Sequence, residues 1–123
     1  MTGMSALEAV RAVCRAWEEL DPVALAALFT RDGIFDDPLK SSRLAGSGAI
    51  LEGNRAAMAQ LRTCRIELRH VLGDGDVAVA EGRFVAELDP DGVMDFPFAM
   101  VVELSGGRIS RLAEYFDTRP LLA

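Results

Sequence analysis

The chain of 123 residues has little cysteine, one histidine and no excess of basic residues. Its two cysteines, Cys14 and Cys64, lie far apart and form no Cys-x-x-Cys pattern, which favours space-filling thiols over a disulfide or redox pair. His70 has no second histidine or cysteine nearby in the sequence, so a metal site is not expected. No cofactor-binding motif is present either, and we expect no cofactor.

Basic residues number 13 against 19 acidic ones, which gives a net charge of −6. Nucleic acid and anionic membranes bind basic surfaces, so neither is an expected partner. No apolar run approaches the roughly 20 residues that span a bilayer, and no cationic segment followed by an apolar run predicts a signal peptide. These absences predict a soluble, cytoplasmic protein.

Length and composition predict a single domain over residues 1–123, because half of the residues are hydrophobic and can form a core without staples. Apolar residues at helical spacing predict an amphipathic helix over 5–18. Asp21-Pro22 predicts the start of a second helix, which we expect to end near Arg31-Asp32-Gly33. A third helix is expected over about 49–62.

After the third helix the apolar pattern alternates, which is typical of half-buried strands. A short strand at Ile34-Phe35 and a loop over 39–48 precede this part, and the tail over 118–123 is expected to be coil. Helices segregated to one side of a mainly antiparallel sheet predict an α+β fold with a cavity between the layers. The four longer predicted strands are Arg65–Leu72, Val77–Leu88, Val93–Leu104 and Arg108–Asp117.

Two carboxylates stand before a proline in Asp36-Asp37-Pro38, directly after the apolar pair Ile34-Phe35. Pro38 keeps the backbone of Asp37 out of the helical region. A carboxylate that faces an apolar cavity holds a proton more readily than one in water, which suits a general base. The alternative interpretation of this segment is a solvated acidic turn.

Two segments carry a resemblance to known families. Ala27-Leu28-Phe29, Asp32 and Asp36-Asp37-Pro38 resemble the start of the ketosteroid isomerases, and Glu114-Tyr115-Phe116-Asp117 resembles the last strand of SnoaL-like proteins and limonene-epoxide hydrolases. All three families belong to the nuclear-transport-factor-2-like superfamily. The resemblance covers nearly the whole chain and implies a cone-shaped, cystatin-like roll: three N-terminal helices packed on a strongly curved antiparallel or mixed sheet.

The resemblance to ketosteroid isomerases implies that Asp37 is the base that moves a proton beside a carbonyl. That family also uses a tyrosine and a protonated aspartate as an oxyanion hole. The corresponding positions fall at Val13 and near Met100, and neither of these side chains donates a hydrogen bond. The resemblance therefore implies a base but leaves its electrophilic partner unidentified.

The resemblance to epoxide hydrolases implies that Asp117 activates water and that Arg83 takes the place of that family's arginine, whereas in an isomerase the same two residues would orient the substrate or a water molecule. Val85 stands where that family has a second aspartate. If Asp117 is internal, Arg83 is its expected partner, because an unpaired buried carboxylate is costly. The residues that we expect to contact substrate are Trp17, Phe35, Met58, His70 and Tyr115, and His70 is included because it shares strand parity with Ile66 and Leu68.

The leading functional hypothesis is a cofactor-free enzyme that abstracts a proton next to a carbonyl of a small apolar, steroid- or polyketide-like molecule, with Asp37 as base. One alternative is epoxide hydrolysis with Asp117 and Arg83. Another is a non-catalytic module that binds a small ligand. A homodimer is expected because the outer sheet face would otherwise expose apolar residues such as Val71 and Val101.

Overall fold

Three helices precede most of the sheet in the computed structural model, which describes residues 3–117. They are α1 (Ala6–Glu18), α2 (Pro22–Ala27) and α3 (Ser47–Met58). The predicted coil over 118–123 lies outside the described residues. No helix within the described range is both long and apolar enough to cross a membrane.

The first two helices begin where their capping residues predict. The Ser5 hydroxyl accepts a hydrogen bond from the Glu8 amide, and the Glu8 carboxylate accepts one from the Ser5 amide, which is a capping box. Asp21 caps α2 by accepting a bond from the Ala24 amide. The expected end of this second helix near Gly33 is wrong, because the chain becomes a strand at Phe29.

Six strands form one mixed sheet in the order β2-β1-β6-β5-β4-β3. Neighbouring strands are antiparallel, except that β1 and β6 run parallel. The α+β fold expected from the sequence is therefore confirmed, as three helices on a six-stranded sheet. The strands are β1 (Phe29–Asp37), β2 (Ser42–Ala45), β3 (Leu61–Asp74), β4 (Val77–Leu88), β5 (Val93–Ser105) and β6 (Arg108–Phe116).

Strand β2 falls in the segment over 39–48 that the sequence predicted to be a loop. A short 3-10 turn over Pro38–Lys40 and a left-handed Ser41 at φ 53° reverse the chain after β1. Ser42 then pairs with Asp37. The four residues of β2 are mostly exposed and carry no alternating apolar pattern, so the sequence held no signal for them.

The apolar face of α1 packs across β3, β4 and β5 and forms the core with α2 and α3. The largest fully buried side chains include Phe29, Leu25, Ile50, Met100 and Ile109. Since α1 crosses only part of the concave sheet face, the remaining part is open for a cavity beside the core.

Candidate active site

A cavity of about 310 Å³ lies between the concave sheet face, the end of α1 and one face of α3. This volume is at the lower end of the about 300 to 1,000 Å³ of small-molecule pockets. Few polar groups interrupt its apolar wall, namely Asp37, Lys40, Ser42, Asn54, Gln60 and Glu114, and its aromatic lining consists of Trp17, Phe35, Phe84, Phe96, Phe98 and Phe116.

Asp37 is the last residue of β1, and its carboxylate lines the cavity. Its Oδ2 lies 3.3 Å from the Lys40 ammonium, which in turn lies 4.8 Å from the centre of the Phe116 ring. Its Oδ1 is buried and has no hydrogen-bond partner among residues 3–117. Buried polar atoms are rarely left unpaired in native proteins, so this oxygen is a candidate to meet a bound molecule.

The neighbouring carboxylate, Asp36, lies on the opposite face of β1. It accepts bonds from Arg43 Nε at 2.7 Å, from Arg43 Nη2 at 3.0 Å and from Arg111 Nε at 3.0 Å. Hydrogen bonds from Arg43 and then from Arg111 hold the pKa of Asp36 below its ordinary value, although burial opposes them. This ionic cluster joins β2, β1 and β6, and it thereby fixes the end of β1 that carries Asp37.

Glu114 is the functional candidate that sequence reasoning missed. It lies on β6 beside Met100 of β5, and its side chain lines the same cavity as Asp37. Burial among apolar side chains, and after it the charge of Asp37, raise the pKa of Glu114 from its ordinary 4.5 to about 7, although Lys40 opposes the shift. A carboxyl group with such a pKa can still donate a proton near neutral pH.

Strand parity is the sequence signal that could have identified Glu114. Residues two apart on a strand face the same side of a sheet, so Glu114 shares the concave face with Phe116. The register also pairs Glu114 with Met100, the position near which the family resemblance predicted a carboxyl group. A carboxyl group therefore lies next to this position, on the adjacent strand.

Three of the predicted site residues, Trp17, Phe35 and Asp37, line the cavity together. Met58 instead belongs to the buried core and is not part of the lining. Tyr115 follows Glu114 on β6 and therefore lies on the other face, where it lines an outer groove with Arg111 and Asp36.

His70 lies outside the cavity because β3 contains a bulge between Leu68 and His70. The extra residue reverses the strand parity, so His70 does not share the inner face of Ile66 and Leu68. Its Nδ1 lies 2.6 Å from Glu81 Oε1, and both side chains are more than half exposed. A side chain added at Gly82, opposite the bulge, would approach the Glu67 carbonyl oxygen to 2.2 Å, so this close backbone approach requires glycine.

Arg83 and Asp117 also lie outside the lining of the cavity. Arg83 forms an ion pair with Asp95 of β5, and both side chains are about half exposed. Asp117 is exposed and follows the end of β6. The structure therefore pairs Arg83 with Asp95, and neither Arg83 nor Asp117 is among the residues that line the cavity with Asp37.

Within residues 3–117, no group of three or more His, Cys, Asp or Glu side chains is arranged so that it could hold a metal ion. The two carboxyl groups of the cavity have Lys40 and aromatic rings as their neighbours. The arrangement can hold a small apolar molecule between one carboxylate and one carboxyl group that can keep its proton.

A curved sheet covered by three helices is the architecture of the cystatin-like rolls. The sequence profile of the SnoaL-like domain matches residues 10–112, and the chain belongs to this family. Comparison with curated proteins gives no match.

Solved structures share this fold. A protein of Catenulispora acidiphila with a ketosteroid-isomerase-like fold, in complex with trimethylamine, is 22% identical, with a TM-score of 0.81 over 89% of this chain and 85% of that one. An LEH-like epoxide hydrolase of M. tuberculosis is 22% identical, with a TM-score of 0.79 over 92% of this chain and 83% of that one. A candidate SnoaL-like polyketide cyclase of Shewanella denitrificans is 15% identical, with a TM-score of 0.82 over 94% of this chain and 92% of that one. At these identities the likeness establishes the fold alone.

Proposed function

We propose that this protein is a cofactor-free enzyme that moves a proton beside a carbonyl group of a small apolar, steroid- or polyketide-like molecule. Asp37 is the base, and Glu114 is the acid. The observation that carries the proposal is the presence of these two carboxyl groups, in different electrostatic surroundings, on the wall of one apolar cavity. Pairs of titratable groups held in unlike environments are typical of acid–base catalysis.

The proposed reaction begins when the Asp37 carboxylate removes a proton from the carbon next to the carbonyl. The electrons of the broken C–H bond form a C=C bond, and the carbonyl oxygen takes the Glu114 proton to give an enol. Asp37 then returns its proton to another carbon of the conjugated system, and Glu114 recovers its own proton from the enol oxygen. The substrate is isomerised, and both carboxyl groups end as they began.

The surroundings of the two groups support this division of roles. Asp37 has the Lys40 ammonium as a counter-ion at Oδ2, while Oδ1 has no protein partner among residues 3–117 and is left for the substrate. Glu114 is surrounded by apolar side chains such as Met100 and Phe116, which disfavour its charged form. Aromatic walls also limit water, so a proton moves between the substrate and the two carboxyl groups.

Epoxide hydration is the second candidate, because an acid and a base in one apolar cavity are also what that reaction requires. In this version Asp37 would activate water, and Glu114 would protonate the epoxide oxygen. The version that relies on Asp117 and Arg83 has less support, since neither lines the cavity. A non-catalytic binding module is the remaining alternative.

A panel of three probes tests the proposed function. Wild-type protein is incubated with androst-5-ene-3,17-dione and with limonene 1,2-epoxide, and 2-naphthol is titrated as a mimic of the enolate. We expect conversion of the ketone to its conjugated isomer, followed by ultraviolet absorbance, together with saturable binding of the naphthol. Diol formation from the epoxide without ketone conversion would replace the proposal with the second candidate. Binding without any turnover would leave only the binding module.

The homodimer and the cytoplasmic location expected from the sequence stay predictions. Exposed apolar side chains on the outer face of β3 and β4, including Leu72, Val77 and Val79, support a dimer through this face. The placement of Val71 on the outer face is wrong, because Val71 packs against the core.

A further inference from the structure

A row of aromatic rings crosses the concave sheet face inside the cavity. Phe84 of β4 stacks on Phe96 of β5 with 5.1 Å between ring centres, and Phe96 stacks on Phe116 of β6 at 4.9 Å. Trp17 meets Phe84 edge-on at 5.8 Å, and Lys40 lies over Phe116. The row therefore has Trp17 at one end and the Lys40 ammonium at the other.

The two ends of the row differ in chemistry. Lys40 pairs with Asp37, so the Phe116 end carries the proposed base. Phe84 and Phe116 lie on strands separated by β5, and two strand spacings amount to about 10 Å. A flat molecule that follows the row would place one end at Asp37 and the other past Phe84 at Trp17.

Trp17 carries an unused hydrogen-bond donor. Its side chain lines the cavity and the residue is 9% exposed, and its Nε1 is buried without an acceptor among residues 3–117. The indole N–H can only donate a hydrogen bond. A buried donor without an acceptor lowers the stability of the folded state, because it has lost its hydrogen bond to water. The edge-on contact with Phe84 fixes the ring orientation at an interplanar angle of 81°. A bound molecule with an acceptor at this end of the cavity would satisfy the donor.

We infer that Trp17 determines substrate specificity by donating its Nε1–H to an oxygen of the substrate at the end remote from Asp37. The inference rests on the proposed function for the identity of the Asp37 end. It narrows the substrate to flat, conjugated or fused-ring molecules with an oxygen function at each end. The oxygen at the Asp37 end belongs to the reacting carbonyl, and the remote oxygen accepts the indole bond.

The sequence has a single tryptophan, so the indole N–H gives one resolved signal in a ¹H–¹⁵N spectrum. The probes are estrone, which has a phenol at one end and a ketone at the other, and its 17-deoxy analogue without the ketone. Estrone should move the indole proton downfield by more than the analogue does, and it should bind about 10-fold more tightly. Trp17→Phe, which keeps an aromatic ring against Phe84, should weaken estrone binding about 10-fold more than it weakens analogue binding.

Equal indole shifts with both probes, equal losses of affinity in Trp17→Phe, or no binding of either probe would overturn the inference. The assay measures binding and therefore separates this inference from the proposed function. Selective binding of estrone without turnover of any ketone would reject the enzyme and retain the role of Trp17. Ketone turnover with no selective indole shift would retain the enzyme and reject that role.

Discussion

Replacing Asp37 by asparagine should lower kcat for the ketone isomerisation by about 100- to 10,000-fold, the usual range for loss of a positioned general base. The change keeps the shape of the side chain and removes its capacity to accept a proton. Lys40 would lose its counter-ion at 3.3 Å, but Pro38 and the pairing of Asp37 with Ser42 would still hold the backbone. The measurement is the single-turnover rate, with thermal unfolding recorded for each variant.

The matched control for this variant is Asp95→Asn. Asp95 is a carboxylate on β5 that pairs with Arg83 at the surface and does not line the cavity. Its replacement should change kcat less than about twofold and leave 2-naphthol binding intact. If Asp37→Asn folded normally and kept more than a third of the wild-type rate, Asp37 could not be the base.

The second large effect is a change in how stability depends on pH. Above pH 4.5 the unfolded chain has lost the Glu114 proton, whereas the folded chain keeps it up to a pKa of about 7. The folded state then binds more protons than the unfolded state, so the Glu114 contribution to the free energy of unfolding falls as pH rises through this interval. Glutamine at this position does not titrate and removes that fall.

We therefore expect the free energy of unfolding of Glu114→Gln, relative to wild type, to rise by up to about 3 kcal/mol between pH 4.5 and pH 7.5, and then to level off. Urea denaturation at several pH values measures this difference. Glu67→Gln is the control, because Glu67 is an exposed glutamate on β3. Its difference from wild type should stay within about 0.5 kcal/mol at all pH values. A constant difference for Glu114→Gln would refute the raised pKa.

Local sequence signals predicted most of the fold because they act over a few residues. Ser5 and Asp21 satisfy helix amides directly, and the alternation in Val77–Leu88 matches the bounds of β4. The end of α2 was misplaced because Phe29 begins a strand by pairing with Ile109, which is far away in sequence. That pairing depends on tertiary contacts, which the spacing of apolar residues around Leu28 does not reveal.

The site was predicted only in part for a similar reason. Asp37 was found because Pro38 marks it locally, and Trp17 and Phe35 because large apolar residues collect in cavities. His70 was misplaced by one inserted residue in β3, which no alternation in the sequence reveals. Asp117, the last acidic residue, was predicted to be a site residue and Glu114 was not. Parity with Phe116 places Glu114 on the concave face.

The proposed chemistry requires the cavity to hold, beside the Asp37 carboxylate, a carboxyl group that keeps its proton to near neutral pH. Carbon-detected NMR titration of protein labelled with ¹³C at the glutamate carboxyl carbons measures this directly, and the signal missing from Glu114→Gln identifies the residue. We expect a Glu114 pKa of about 7 in the wild type. This pKa should be lower in the Asp37→Asn variant, because the Asp37 charge helps to raise it. A Glu114 pKa near 4.5, unchanged by Asp37→Asn, would contradict this expectation.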